Sequence, residues 1–200
     1  KRLYPQTNII FTTGYSEYST EAFSLHASGY LLKPVSTEQI EEELENLRHP
    51  VHLQNGNKLQ ARTFGNFEVY VDGEPLSFRY SKTKELFAYL IDREGAVCSN
   101  KELMSVLWES DEPHLSYIQK IRKDLQTVLE ESGCGDVFVS KWGGCGINTD
   151  VIDCDYYDWI AGKPYAINAY RGEYMTQYSW AEITHGSLEY EFRKNLEGHG

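Results

Sequence analysis

The chain has 200 residues, is 40% hydrophobic and 14% aromatic, and carries a formal net charge of −11. That apolar content suffices for a packed core in one or two domains, and no run of about 18 apolar residues exists to span a membrane. The acidity argues against indiscriminate nucleic-acid binding, so any such contact depends on where the 19 basic side chains lie.

No signal peptide is visible, and the start at Lys1 rather than Met points to a fragment of a longer protein. The four cysteines, at 98, 134, 145 and 154, form no C-x-x-C pair and have no His pair at zinc spacing. They are expected to be reduced thiols of a cytoplasmic protein; a Cys134–Cys145 bridge would need an oxidising compartment.

Residues 8–13, NIIFTT, read as a buried strand ended by Gly14. EYSTEAFSLHA, residues 17–27, spaces Ala22, Phe23 and Ala27 as a helix does, and YLL at 30–32 is a second strand closed by Lys33-Pro34. STEQIEEELENLRH follows as a helix with a capping box from Ser36 to Gln39 and an apolar stripe of Ile40, Leu44 and Leu47. The order strand–helix–strand–helix implies a parallel α/β sheet, but two strands cannot sustain one alone. Residues 49–60, with Pro and Asn-Gly, read as a linker, with a brief strand as the alternative within it.

The pattern then changes. FGNFEVYV alternates, Asp72-Gly73 turns the chain, and EPLSFRY follows, a strong hairpin signal. SKTKELFAYLIDREG is an amphipathic helix with Leu86, Phe87, Leu90 and Ile91 inward and Gly95 at its C-terminal stop. Ser99 and Glu102 form a second capping box for SNKELMSVLWES, where Leu103, Val106, Leu107 and Trp108 are apolar. The third helix is 114–132. VFVSKWGGCGINTD then reads as a β-hairpin around Gly143-Gly144. Hairpin, three helices and hairpin make a winged helix-turn-helix. Beyond Val151 the chain is rich in Tyr, Trp and acids, with AINAYRGEYM and SLEYEFRKNL read as helical.

Helix 114–132 carries the charge pattern that matters. At about 100° per residue from Ser116, the side chains of Ile118, Ile121, Leu125, Val128 and Leu129 form one inward stripe. Ser116, Gln119, Lys120, Lys123 and Thr127 lie opposite, and Arg122 flanks the stripe with its head free to reach outward. Glu130 and Glu131 are confined to the last turn and Asp124 points sideways. The first turns thus present a neutral-to-cationic face, which a major groove accepts, with Lys141 and Trp142 on the hairpin as wing residues. A solvated helix face, and core packing of Trp142 beneath the wing, are the plainer readings of the same residues.

Two stretches resemble known families. GYLLKPV, with FTTGY upstream, resembles the C-terminal part of a two-component receiver domain over residues 1–48. The resemblance implies a switch set of Thr13, Tyr30, Lys33 and Pro34, with a cis peptide before Pro34. Nothing here matches the family's acidic pair or phosphorylatable Asp, which lie earlier in its domain, so phosphorylation of this chain by a sensor kinase is expected only in a full-length protein. FGNFEVYVDGEPLSFRYSKTKELFAYLIDREG, continued by Leu107-Trp108 and IQKIRKDL, resembles an OmpR/PhoB-type winged helix of the antibiotic-regulatory (SARP-type) activators. DCDYYDWI is similar to that family's junction to a bacterial transcriptional activation domain, of which the roughly 50 remaining residues are a truncated remnant or a short helical appendage.

The expectation is therefore an α/β plus α+β chain. A receiver-like part spans 1–48, a linker 49–61, a winged helix-turn-helix 62–150 and a helical tail 151–200. It is expected to be a response-regulator-type transcriptional regulator. Double-stranded DNA would meet Ser116, Gln119, Lys120, Arg122 and Lys123 on helix 114–132, and Lys141 and Trp142 on wing 137–149. Homodimerisation is expected through the receiver-like segment, residues 36–48 especially. The competing reading is an interaction adaptor without DNA binding, anchored by EYMTQYSW. No catalytic order, phosphate loop or close carboxylate pair appears, so no enzyme, cofactor or metal is expected. GGCG at 143–146 suits a tight hairpin better than a reactive Cys145, and His49, His52, His114 and His199 lack ligand spacing.

Overall fold

Apolar residues at these spacings build a mixed α/β fold, seen in a computed structural model that describes residues 7–25, 27–47, 58–108 and 115–197, side chains at 23, 45 and 195–197 excepted. Packing divides it into two units, residues 1–53 with 158–171 and residues 54–157 with 172–200. Phe23's side chain, most of the expected linker and the first residue of the expected third helix, His114, lie outside the described residues.

In the first unit, strands β1 (Ile10–Thr13) and β2 (Gly29–Leu32) pair in parallel, Ile10 opposite Gly29 and Thr13 opposite Leu32. Parallel neighbours need a crossover, which helix α1 (Ser19–Ser24) supplies. Helix α2 (Thr37–Glu45) starts at the expected capping box: Gln39 N donates to Ser36 Oγ at 3.3 Å and Ser36 N to Gln39 Oε1 at 3.0 Å. Its stripe is less buried than expected. Leu47 is 4% exposed, but Ile40 and Leu44 are 43% and 39% exposed, because a two-stranded sheet is too narrow to cover a helix face.

The second unit opens with β3 (Leu59–Arg62), which pairs antiparallel with β4 (Glu68–Val71); Asp72-Gly73 then turns into a two-residue β5 (Glu74–Pro75). Positive φ at both turn residues, 51° and 84°, is the backbone a twisted two-residue hairpin requires. The expected hairpin is thus real but short. The longer partner of β4 is β3, which overlaps the stretch read as linker.

Helix α3 (Ser81–Asp92) is the centre of this unit. Leu86, Phe87, Ala88, Leu90 and Ile91 have no exposed surface. The helix stops with Arg93 as its cap and Glu94 as well as Gly95 at positive φ, so the left-handed stop begins one residue earlier than expected. A short strand β6 (Cys98–Ser99) leads into α4 (Asn100–Leu107), whose Ser99–Glu102 capping box forms as expected, followed by α5 (Leu115–Glu131). Leu103 and Leu107 of α4 and Ile118, Ile121, Leu125 and Leu129 of α5 are buried around α3. Each such side chain contributes about 1.5–3 kcal/mol of apolar burial.

Strands β7 (Phe138–Lys141) and β8 (Gly144–Ile147) form the second hairpin, and β8 also pairs with β6, giving the order β6-β8-β7. The loop is Trp142-Gly143, not Gly143-Gly144: Gly144 lies in the ladder opposite Ser99 and Lys141. A Cβ on Gly144 would stand 2.4 Å from the carbonyl oxygen of Cys98, so the close approach of β6 requires glycine there.

Strand β9 (Ile152–Cys154), which falls in the stretch read as tail, joins the first sheet parallel to β3 in the order β5-β4-β3-β9. The next residue fixes the junction. Asp155, 4% exposed and first in helix α6 (Asp155–Ile160), accepts hydrogen bonds from Thr63 N (2.8 Å), Thr63 Oγ1 (2.7 Å) and Phe64 N (3.2 Å). AINAYRGEYM is helical only through α7 (Pro164–Ala169). Within residues 158–171, Asp158 accepts from Lys163 Nζ and from the Tyr165 hydroxyl, both at 2.7 Å. Residues 173–177 instead run beside 63–67: Met175 N donates to Thr63 O and Thr176 N to Gly65 O. The last helix, α8 (Glu182–Glu197), contains SLEYEFRKNL as expected.

Candidate nucleic-acid interface

Helix α5 is amphipathic, and the buried stripe decides which face it turns outward. Ser116, Gln119, Lys120 and Lys123 are exposed, as are Gln126 and Thr127. Among the described residues no ion pair involves Lys120, Lys123 or Lys141. The side-pointing acid is occupied inside: Asp124 accepts from the hydroxyl of buried Thr83 at 2.6 Å, which ties α5 to α3 and keeps that carboxylate off the cationic face. Glu130 and Glu131 remain exposed at the far end. The helix dipole favours anions at the first turn of α5, one turn ahead of Lys120.

The hairpin projects next to this face. Lys141 is exposed and Trp142 is fully exposed at the tip, so Trp142 does not pack beneath the hairpin. A concavity of about 240 Å³ lies between α5 and β7, lined by Gln119, Arg122, Lys123, Gln126, Phe138 and Ser140.

Arg122 is placed differently from the other basic residues. Its Nη1 donates to Asn100 Oδ1 at 2.7 Å, and its Nη2 to the carbonyl of Gly144, with longer contacts to Ser140 Oγ and Lys141 O at 3.4 Å each. The head expected to reach outward is bound to the hairpin and to the start of α4.

Two residues absent from the expectation join the cationic face. Tyr80, just before α3, has the Lys120 ammonium 4.6 Å and the Arg79 guanidinium 5.4 Å from its ring centre. The ring holds two cations near each other without neutralising either. A basic residue next to an aromatic one, immediately before a helix, was the signal available in the sequence.

The receiver-like residues gather at the C-terminal ends of β1 and β2. Lys33 N donates to Thr13 O at 2.8 Å, Tyr15 N to Thr13 Oγ1 at 3.3 Å, and the Tyr30 hydroxyl to the carbonyl of Tyr15. The Lys33–Pro34 peptide is cis and the Lys33 side chain is exposed.

EYMTQYSW is not a free anchor surface. Tyr174 and Met175 are buried, the Tyr174 hydroxyl donates to Asp92 at 2.9 Å, and Gln177 exchanges hydrogen bonds with the backbone of Phe67 at 2.8 and 3.2 Å. Trp180 packs edge-on against Tyr89, with ring centres 5.2 Å apart. The four cysteines are free and buried. Among the described residues no helix is long and apolar enough to cross a membrane.

No family model matches the chain. Its fold is similar to that of Mycobacterium tuberculosis EmbR, solved in complex with a low affinity phosphopeptide, with a TM-score of 0.52 over 68% of this chain and 43% of EmbR at 17% identity. An uncharacterized response regulatory protein of Shewanella oneidensis is 31% identical over 62 residues, 31% of this chain and 26% of that protein. Human GDP-fucose protein O-fucosyltransferase 3 is 30% identical over 128 residues, 62% of this chain and 26% of the enzyme. The chain spans about a quarter of the length of these curated relatives.

Proposed function

We propose that this chain is part of a transcriptional regulator of the response-regulator type that reads duplex DNA with a winged helix-turn-helix. Residues 62–150 form that unit, with β3 and β9 completing its first sheet. α5 enters the major groove and the hairpin 137–149 is the wing. Residues 1–48 are the C-terminal part of a receiver-like domain, the stretch from 49 to the start of β3 is the linker, and the residues after β9 are the start of an activation domain. Regulation by a sensor kinase and a cytoplasmic location follow from the same reading.

One observation carries it. In a chain of net charge −11, the outward face of α5 presents Ser116, Gln119, Lys120 and Lys123 with no acid among them, beside a hairpin whose tip offers Lys141 and Trp142. Lysines on phosphates supply affinity and register, while Ser and Gln at the helix start reach base edges. The fold likeness to EmbR and the partial match to a response regulatory protein support this class.

Selection of duplexes from a random pool tests the reading. The chain is expected to enrich a defined motif, and Gln119→Ala to relax one or two positions of it. Failure to enrich any sequence at low salt would contradict it.

A further inference from the structure

Arg122 is the one cation of α5 whose guanidinium is turned onto the protein. Its Nη1 reaches Asn100 Oδ1 and its Nη2 the carbonyl of Gly144, with Ser140 Oγ and Lys141 O at 3.4 Å. Its Nε is buried without an acceptor, so that edge is not presented to solvent. Asn100, the first residue of α4, engages the hairpin as well: its backbone N–H, one of the donors a helix start leaves unpaired, donates to Gly143 O at 2.8 Å. The loop Trp142-Gly143 lies beyond the two-residue support of β6, and a two-stranded ribbon is marginal by itself. What holds the tip is therefore Arg122 from α5 and Asn100 from α4.

We infer that Arg122 is a positioning residue that sets the wing against α5, and not a phosphate contact. This rests on the DNA-binding reading for its consequence, though not for its geometry. The planar fork serves four acceptors on α4 and the two hairpin strands at once, spread more widely than the compact ammonium of a lysine reaches. With Arg122 committed to the hairpin, the cations left for an anion in the concavity and at the tip are Lys123 and Lys141.

The test has two arms, each on the whole chain with Arg122→Lys and Arg122→Met. Without DNA, hydrogen exchange is followed at Asn100 and at residues 140–144. Both variants are expected to speed it by about tenfold or more, the scale of removing one charged hydrogen bond, while the core amides of α3 keep their protection. Unchanged exchange, or full rescue by Lys, overturns the inference. With duplex DNA, Lys141→Ala is made in the parent and in the Arg122→Met background. In the parent it is expected to make the salt slope shallower by about 0.9; Arg122→Met, by releasing the wing, is expected to lose that same contact, so its slope is already shallower by about 0.9 and the second change adds nothing. A further drop of about 0.9 when Lys141→Ala is added to Arg122→Met, whether or not Arg122→Met lowers the slope by itself, shows that the wing contact does not depend on Arg122 and overturns the inference. If the parent binds no DNA, the functional reading fails, and the exchange arm still decides the clamp.

Discussion

At the scale of single residues, the helical wheel places most of the α5 side chains on the right face and misjudges one. It sets Arg122 at the edge of the apolar stripe, and that is where its stem lies. What the wheel could not contain is the acceptor set: Asn100 is 22 positions away and Gly144 another 22, so the fold, not the helix, decides where the guanidinium points. Asp155 was illegible for the same reason, since its donors Thr63 and Phe64 are about 90 residues upstream. The cysteines give a residue-scale prediction. Burial pushes the Cys98 thiol up to about 12 and that of Cys145 to about 11. The thiolate is the reactive form, so both should stay inert to a disulfide reagent at pH 8, their reactivity rising only toward pH 11 or on unfolding. Rapid native labelling at Cys145 would contradict its burial and revive GGCG as a reactive site.

At the scale of elements, the legible parts were those encoded locally. Two capping boxes, at Ser36 and Ser99, form because their partners are three residues away. The α3, α4 and α5 stripes were legible because a 3.6-residue period repeats over two or more turns. The strands missed were β6 and β9, of two and three residues, each with a partner distant in sequence, while β3 was legible only as a brief strand within the linker. The helix expected over 166–175 ends at Ala169 because residues 173–177 find backbone partners at 63–67. The hairpin loop was misplaced by one residue because two adjacent glycines serve different needs: Gly143 adopts φ 73°, and Gly144 makes room for β6. Gly144→Ala should therefore separate β6 from β8 and destabilise the second unit by about 1–3 kcal/mol, the usual range for overpacking. Denaturant unfolding checks this, and a midpoint equal to the parent's would contradict the close approach.

At the scale of the whole molecule, charge is negative in every segment of the sequence, and only the fold reveals where acids are absent. Asp124 is turned inward onto Thr83 and the exposed glutamates of α5 sit in its last turn, which leaves the lysine-bearing turns unopposed along that helix. The first unit has a different property. Ile40 and Leu44 of α2 and Phe11 and Leu32 of the two-stranded sheet are 39–44% exposed, more apolar surface than a parallel sheet usually leaves in water. We assign pairing of two copies to residues 36–48, so light scattering should return twice the 23.0 kDa of one chain, and Ile40→Glu/Leu44→Glu should return one; a monomeric parent would contradict this.

The account as a whole depends on positive potential concentrated on one face of α5. Its most direct test is the salt dependence of duplex binding by the parent and by Lys120→Glu/Lys123→Glu. Removing the two ammonium–phosphate pairings should weaken binding severalfold or more and make the slope of log K against log salt shallower by roughly 1.8. Equal affinity with an unchanged slope would contradict it.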